Sequence, residues 1–514
     1  MTTPPPRATG HTSPNRTRRS DGRAVALIAC LAQVLIVLDT TIVAVALPDA
    51  QPDLGFAMED RQWAVTSYTL TFGSLLVLGG RLSQVLGGRR AFLIGIAGFG
   101  AACILGGLAN SYALFLLSRV LQGVFAALLA PTNLALISTA FPDSAGRAKA
   151  FALFGSVAGA GAALGLILGG ILTDVANWRW CFFISGPLAA MTFLAAWWGL
   201  ARAARLDRSG LWNDVLGLTC GSATVFLAIA GFTLAERESW DHPGTLAALA
   251  GSALMAAAFI VRERMTDGPA VPLSLFADPR RSTSYLSIAL VGFAQMGTSM
   301  YLTFYLQDTL GYSPLRTGLS FLPMVAGLIV AAVLATRLIV PRWGVGTAFV
   351  LGATVQAVGF LWMSGLNTED AYRSELLGPL IVAGLGLGLV MAPAMSTSTL
   401  GVPASRTALA SSLANTSQQF GASLGVALLG SIASAAVTRS MDEAATSLPI
   451  EVAEHIARNP GAVTPEQAKE AAIAAALRTA EVDAYNTGLM WLALICVAIA
   501  LLITTIFVLG RRHA

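Results

Sequence analysis

Residues 24–47 read AVALIACLAQVLIVLDTTIVAVAL. A bilayer's hydrocarbon core is ~30 Å thick, and about 20 apolar residues in a helix cross it. This run is long enough, carries one charge at Asp39, and lacks the small-residue cleavage site that ends a secretory signal. It is read as a span that stays in the chain. Residues 1–23, with Pro4 to Pro6 and five arginines, read as a disordered cytoplasmic tail.

The same ruler places further spans near 62–80, 91–110, 112–140, 149–173, 181–200, 212–233, 244–261, 283–306, 315–337, 347–365, 376–400, 408–437 and 485–510. Composition agrees: the 514 residues are 55% hydrophobic and only 12% charged, against roughly 25% charged in soluble domains. Mean hydropathy is +0.68. Charge tests the count. With the N-terminus inside and sides alternating, 22 of the 32 Lys and Arg fall inside, 9 outside, and Arg119 within a span. The 28 Asp and Glu divide 7 inside and 20 outside, with Asp39 within a span. This is the positive-inside pattern. One helix more or fewer would invert every later loop, so an even count with both termini cytoplasmic is expected.

The expected fold is an all-α polytopic membrane protein of fourteen transmembrane helices. A six-helix bundle over 24–200 ends at Arg202, Arg205 and Arg208. A two-helix insert with its loops occupies 201–282. A second six-helix bundle over 283–510 carries an external acidic loop at 438–484, and 511–514 form a cytoplasmic tail. Within that loop Thr464-Pro465-Glu466 predicts the start of a short surface helix.

Asp39 and Arg119 are the charges placed deep in spans. An ionised side chain there costs at least about 2.5–3.5 kcal/mol, and protonating a carboxyl removes much of that, so Asp39 is suited to load and release a proton. Counting ~1.5 Å per residue from the external helix ends puts Asp39 about 12 Å deep and Arg119 about 10 Å deep. The depths match, so the two are expected to face each other, with the guanidinium tuning the carboxyl. The plainer alternatives are an Asp capping a helix break, and a static pair that only solves two burial problems.

In the fifth span, Gly155, Gly159, Gly161, Gly165 and Gly169 include a repeat every fourth residue, a face that admits close helix approach. It fits a rocking contact or tight static packing equally. Gly80, Gly87, Arg89 and Arg90 form a basic turn, with gating or topology alone as its readings. Tyr68, Asn133, Gln295, Tyr301, Tyr305, Gln356, Asn415 and Gln418 are polar or aromatic span residues able to line a substrate cavity.

Other classes fare poorly. The five cysteines form no C-x-x-C, and all four histidines fall in tails or loops, so no metal site is expected. No G-x-x-x-x-G-K-[ST] occurs, which argues against ATP hydrolysis. A membrane enzyme would need convergent nucleophile, base or metal ligands. A sensor would need a soluble output domain, for which no stretch has room.

The run Leu38-Asp39-Thr40-Thr41 through Leu47-Pro48 resembles the first-helix signature of the fourteen-helix drug:proton antiporters of the major facilitator superfamily. Gly80-Arg81-Leu82 through Arg90 resembles its loop between helices 2 and 3. Arg119-x-x-Gln122-Gly123 resembles its fourth-helix motif, and Gly155 to Gly170 its antiporter motif. Trp178-Arg179-Trp180 and Gly311-Tyr312-Ser313-Pro314 also fit. The chain departs from the pattern at Ala44 (usually Asn), Gln84 (Asp), Gly88 (Arg or Lys) and Leu166 (Pro). The resemblance implies a multi-pass exporter in a bacterial cytoplasmic membrane that exchanges protons for small apolar or cationic drugs by alternating access. An importer or a lipid or metabolite flippase of the same fold is the alternative. The expected partners are a small-molecule substrate, protons and the lipid bilayer. No cofactor or nucleic acid is expected, and the chain is expected to act as a monomer.

Overall fold

Asp21 opens the first helix by accepting a hydrogen bond from the Arg23 amide at 3.1 Å, and α1 runs over Gly22–Leu54. The expected tail therefore stops short of residue 23, and its first 20 residues lie outside those described. The structure, a computed structural model, describes residues 21–56, 61–141, 144–201, 214–266, 269, 271–366, 372–403, 406–458 and 465–512.

The N-terminal half continues with α2 (Arg61–Leu86), α3 (Gly88–Gly107), α4 (Tyr112–Ala140), α5 (Ser144–Val175), the single turn α6 (Trp180–Phe183) and α7 (Ser185–Gly199). Then come α8 (Val215–Arg237) and α9 (Pro243–Met265). The C-terminal half holds α10 (Pro279–Phe304), α11 (Pro314–Ser320), α12 (Leu322–Leu334), α13 (Val340–Met363), α14 (Leu377–Ser398), α15 (Thr407–Arg458) and α16 (Pro465–Arg512). No strand occurs among the described residues.

Eleven helical stretches among these residues are long and apolar enough to cross a membrane. One of them, Arg316–Met363, is a continuous helical run broken at Gly344, where φ is 84°. The sequence places two spans there. The spans expected at 149–173 and 408–437 are helical within α5 and α15.

Three expectations need correction. The basic turn between the second and third spans is one residue, Gly87 at φ 78° and ψ 142°, a conformation that an L side chain enters only with strain. The chain stays helical on both sides of it because Ser83–Leu86 and Arg89–Leu93 contain no helix breaker. The acidic region expected as a loop at 438–484 is helical over 438–458 and 465–484. α15 continues through it to Arg458, and α16 starts at Pro465 as one helix with the last span. Polarity there marks departure from hydrocarbon, and the Ala- and Glu-rich sequence is strongly helix-forming. At the other end, α16 carries Arg511 and Arg512 of the expected tail in its last turn.

Ile36 of α1, Phe72 of α2, Phe99 of α3, Leu129 of α4 and Ala189 of α7 share one buried cluster. Phe293 of α10, Phe360 of α13, Leu380 of α14, Leu429 of α15 and Leu492 of α16 share another. Between the halves, Ile137 and Phe154 pack with Ile288, Leu328 and Val390. Leu218 of α8 meets Val77 of α2 and Leu409 of α15, so the insert is seated against both halves. α9 packs on α8 and turns Leu246, Leu254 and Val261 outward.

Candidate functional site

Asp39 on α1 and Arg119 on α4 meet directly. The Arg119 Nη1 donates to Asp39 Oδ2 at 2.8 Å, and each side chain is 1% exposed. The same nitrogen donates to Gln122 Oε1 at 2.5 Å, while Nε donates to the Ala64 carbonyl of α2 at 2.9 Å. Gln122 Nε2 donates to Asp39 Oδ1 at 3.1 Å, and the Cys103 thiol of α3 reaches that oxygen at 3.6 Å. The guanidinium also lies 4.7 Å from the centre of the Tyr68 ring. Four helices thus share one buried network: α3 and α4 donate to the carboxylate of α1, both of whose oxygens accept hydrogen bonds, and α2 holds the guanidinium. Such saturation is what makes a buried ion pair tolerable.

The local sequence explains the convergence. Gln122 stands three residues after Arg119, on the same helix face. Gly123 lets α2 close on α4: a Cβ there would lie 2.8 Å from the Tyr68 carbonyl and 2.9 Å from Thr71 Cβ. That approach brings the Ala64 carbonyl within reach of Arg119.

The glycine face of α5 packs on α1, the helix that carries Asp39. A Cβ on Gly161 would touch Val37, one on Gly169 would press on Ile42 and Val45, and one on Gly165 would meet the Leu38 carbonyl at 3.1 Å and collide with Thr41 Oγ1. Gly159 lies in the same helix. Gly155 faces the other half, where its nearest neighbour is Met391 of α14. At the end of α2, Gly80 abuts Ser412 of α15, and Ser138 of α4 lies 3.1 Å from Thr399 beyond α14. Arg89 donates to the Trp197 carbonyl at 2.7 Å and covers the indole at 5.0 Å, while Arg90 is exposed. Arg81 donates to Gln84 Oε1 at 2.9 Å.

A cavity of about 90 Å³ lies between the halves. Of the eight polar and aromatic candidates, Gln295, Asn415 and Gln418 line it. The other five do not. Tyr68 stacks against Arg119, and Tyr301 donates its hydroxyl to the Leu429 carbonyl. Tyr305 packs edge-on to Tyr485 at 6.2 Å. Asn133 and Gln356 are buried within α4 and α13. Residues outside the sequence-based set complete the lining, among them Gln33 and Val37 of α1, Phe154 of α5, and Met391 and Met395 of α14. Gln33 was open to discovery as the one carboxamide in the run 24–47. The methionines carry no such signal.

The profile of the Major Facilitator Superfamily matches residues 29–426. The chain belongs to that family. It is 40% identical over 429 residues to the puromycin resistance protein pur8 of Streptomyces alboniger, covering 82% of this chain and 84% of that one. It is 34% identical over 444 residues to the cephamycin export protein CmcT of Amycolatopsis lactamdurans, covering 85% and 90%. It is 33% identical over 405 residues to the tetracenomycin C resistance and export protein of Streptomyces glaucescens, covering 79% and 74%. Among solved structures, the human organic anion transporter MFSD10 (TETRAN) superposes with a TM-score of 0.63 at 15% identity, over 93% of this chain and 99% of that one, a likeness of fold. The chain is a multi-pass membrane protein from a family of transporters, and these three bacterial relatives are antibiotic resistance and export proteins.

Proposed function

We propose that the protein exports small antibiotic-like molecules across the cytoplasmic membrane in exchange for protons, by alternating access. The observation that carries this reading is the buried Asp39–Arg119–Gln122 network, set where the glycine face of α5 grips α1. Fourteen crossings arranged as six, two and six, with both termini cytoplasmic and a single chain as the working unit, complete the proposal.

In this mechanism Asp39 is the proton carrier. When ionised it binds Arg119 and Gln122 and ties α1 to α4. Protonation from the outer side removes the charge and weakens that tie, since charge-assisted hydrogen bonds are roughly twice as strong as neutral ones. α1 is then freer to shift against α5 along the glycine face. Val37, two residues from Asp39, and Gly155 of α5 both line the cavity, so a shift of α1 against α5 reshapes it. Proton release inward restores the pair and resets the cavity. Export over import is supported by the cephamycin export protein and the tetracenomycin C resistance and export protein, and the puromycin resistance protein fits it.

The test is efflux from cells with and without the protein, loaded in turn with puromycin, a cephamycin and tetracenomycin C. Accumulation of at least one should fall when the protein is present and recover with an uncoupler. Equal accumulation of all three with and without it overturns the proposal, as does efflux that the uncoupler leaves untouched.

A further inference from the structure

Four carboxamides line the cavity: Gln33 from the N-terminal half, and Gln295, Asn415 and Gln418 from the C-terminal half. The side chains of Gln33, Gln295 and Gln418 have no hydrogen-bond partner in the protein among the described residues. Asn415 Nδ2 donates to the Ser411 carbonyl at 3.0 Å, which leaves its oxygen uncommitted. The remaining lining is aliphatic apart from Met391, Met395 and Phe154, and includes no ionisable side chain. Asp39 is not in the lining; it is enclosed among Arg119, Gln122 and Cys103.

Uncommitted carboxamides supply both donors and acceptors and carry no net charge. A guest with amide, hydroxyl or carbonyl groups exchanges its water hydrogen bonds for theirs. A permanent cation loses its hydration and meets no counter-charge, and burying an unpaired ion is far costlier than burying a hydrogen-bonded dipole. One phenyl ring is no aromatic cage for a cation. The methionine thioethers, polarisable and conformationally adaptable, suit a flat aromatic face.

We infer that this cavity, which at about 90 Å³ receives part of a drug-sized molecule, selects uncharged cargo, an aromatic molecule with several hydrogen-bonding groups and no net charge, and that Gln33, Gln295, Asn415 and Gln418 set this preference. The inference rests on the export reading and narrows it: apolar and cationic cargo are no longer equivalent, and an amine-bearing compound is taken as its neutral base. Exchange of neutral cargo for one proton moves one charge per cycle. Membrane potential alone then drives it, whereas exchange of a monovalent cation for a proton would be electrically silent.

The test uses the full-length protein in detergent micelles and two radiolabelled probes: chloramphenicol, which is neutral, aromatic and rich in amide and hydroxyl groups, and tetraphenylphosphonium, a permanent cation. The wild type should bind chloramphenicol in preference to tetraphenylphosphonium. Gln33→Glu should bind the cation about tenfold more tightly than the wild type, the gain expected of one new ion pair without a hydrogen bond, and lose that gain at acid pH. Gln33→Leu should weaken chloramphenicol without gaining the cation while keeping the wild-type unfolding midpoint, which separates lost recognition from misfolding. A wild type that binds the cation as well as chloramphenicol, or neither probe, overturns the inference. So does a Gln33→Glu variant whose cation binding stays at the wild-type level. Micelles hold no gradient, so selective binding alongside failed efflux in cells would count against the export reading alone.

Discussion

Replacing Arg119 by Ala removes the guanidinium that donates to Asp39 Oδ2, Gln122 Oε1 and the Ala64 carbonyl. Asp39, 1% exposed, keeps only the Gln122 amide and the Cys103 thiol as donors. Breaking a buried pair from one side costs about 3–5 kcal/mol, because the remaining charge is uncompensated. Proton-driven efflux by this variant should fail. Adding Asp39→Asn removes the stranded charge, so the double variant should be more stable than Arg119→Ala alone. The coupling between the two sites should reach about 1–3 kcal/mol, the upper range for residues in one network. Reversible unfolding in mixed micelles of wild type, both single variants and the double variant reads this cycle directly. An Arg119→Ala protein within about 1 kcal/mol of wild type would refute the reasoning. So would additive single changes, since both results mean the pair carries no mutual energy. Arg119→Lys should be partly active: it keeps the charge but cannot serve Asp39, Gln122 and Ala64 together.

Other consequences follow from the packing and from an exposed ion pair at the end of α1. Gly165→Ala places a methyl against Thr41 Oγ1 and the Leu38 carbonyl, overpacking worth about 1–3 kcal/mol, and should slow efflux at unchanged expression; adding Thr41→Ala should restore much of the rate. Gly87→Ala forces an L side chain to φ 78° and should lower stability by about 1–3 kcal/mol, read as a shift in the unfolding midpoint. At the far end of α1, Asp53 accepts from Arg179 and from the Trp178 indole, and the Arg179 guanidinium, then the indole, hold its carboxyl below the usual carboxylate range. Its folded-state value is depressed, so its stabilisation is complete above the unfolded value near ~4 and fades as pH falls through the lower folded value. Asp53→Asn should thus be less stable than wild type at neutral pH, by a modest margin for a half-exposed pair, and indistinguishable from it in strong acid.

The ion pair was legible because hydrocarbon makes an isolated charge costly, and helix rise converts span edges into depths. Those two facts place Asp39 opposite Arg119 without knowledge of helix rotation. The other members of the network were less visible. Ala64 contributes a backbone carbonyl that no side-chain reading registers, and Cys103 looks like any small apolar residue until its neighbours are known. The cavity lining was only partly legible for a related reason. Span helices here are apolar on nearly every face, so polarity does not report rotation, and Tyr301 spends its hydroxyl on the Leu429 carbonyl instead of on cargo. Region 438–484 was legible in part: Thr464-Pro465-Glu466 marks the start of α16, but the end of hydrophobicity near 437 is no end to helix, and the later helix joins the last span instead of staying short.

The central claim is that Asp39 carries the proton that drives cargo outward. Its most direct test is cargo-induced proton movement in liposomes containing purified protein, followed with an entrapped pH dye, using whichever antibiotic of the three the cells export. The wild type should move protons against the cargo when it is added. Asp39→Asn should still bind the cargo and move no protons. Proton flux through the Asn variant at the wild-type rate would contradict the account.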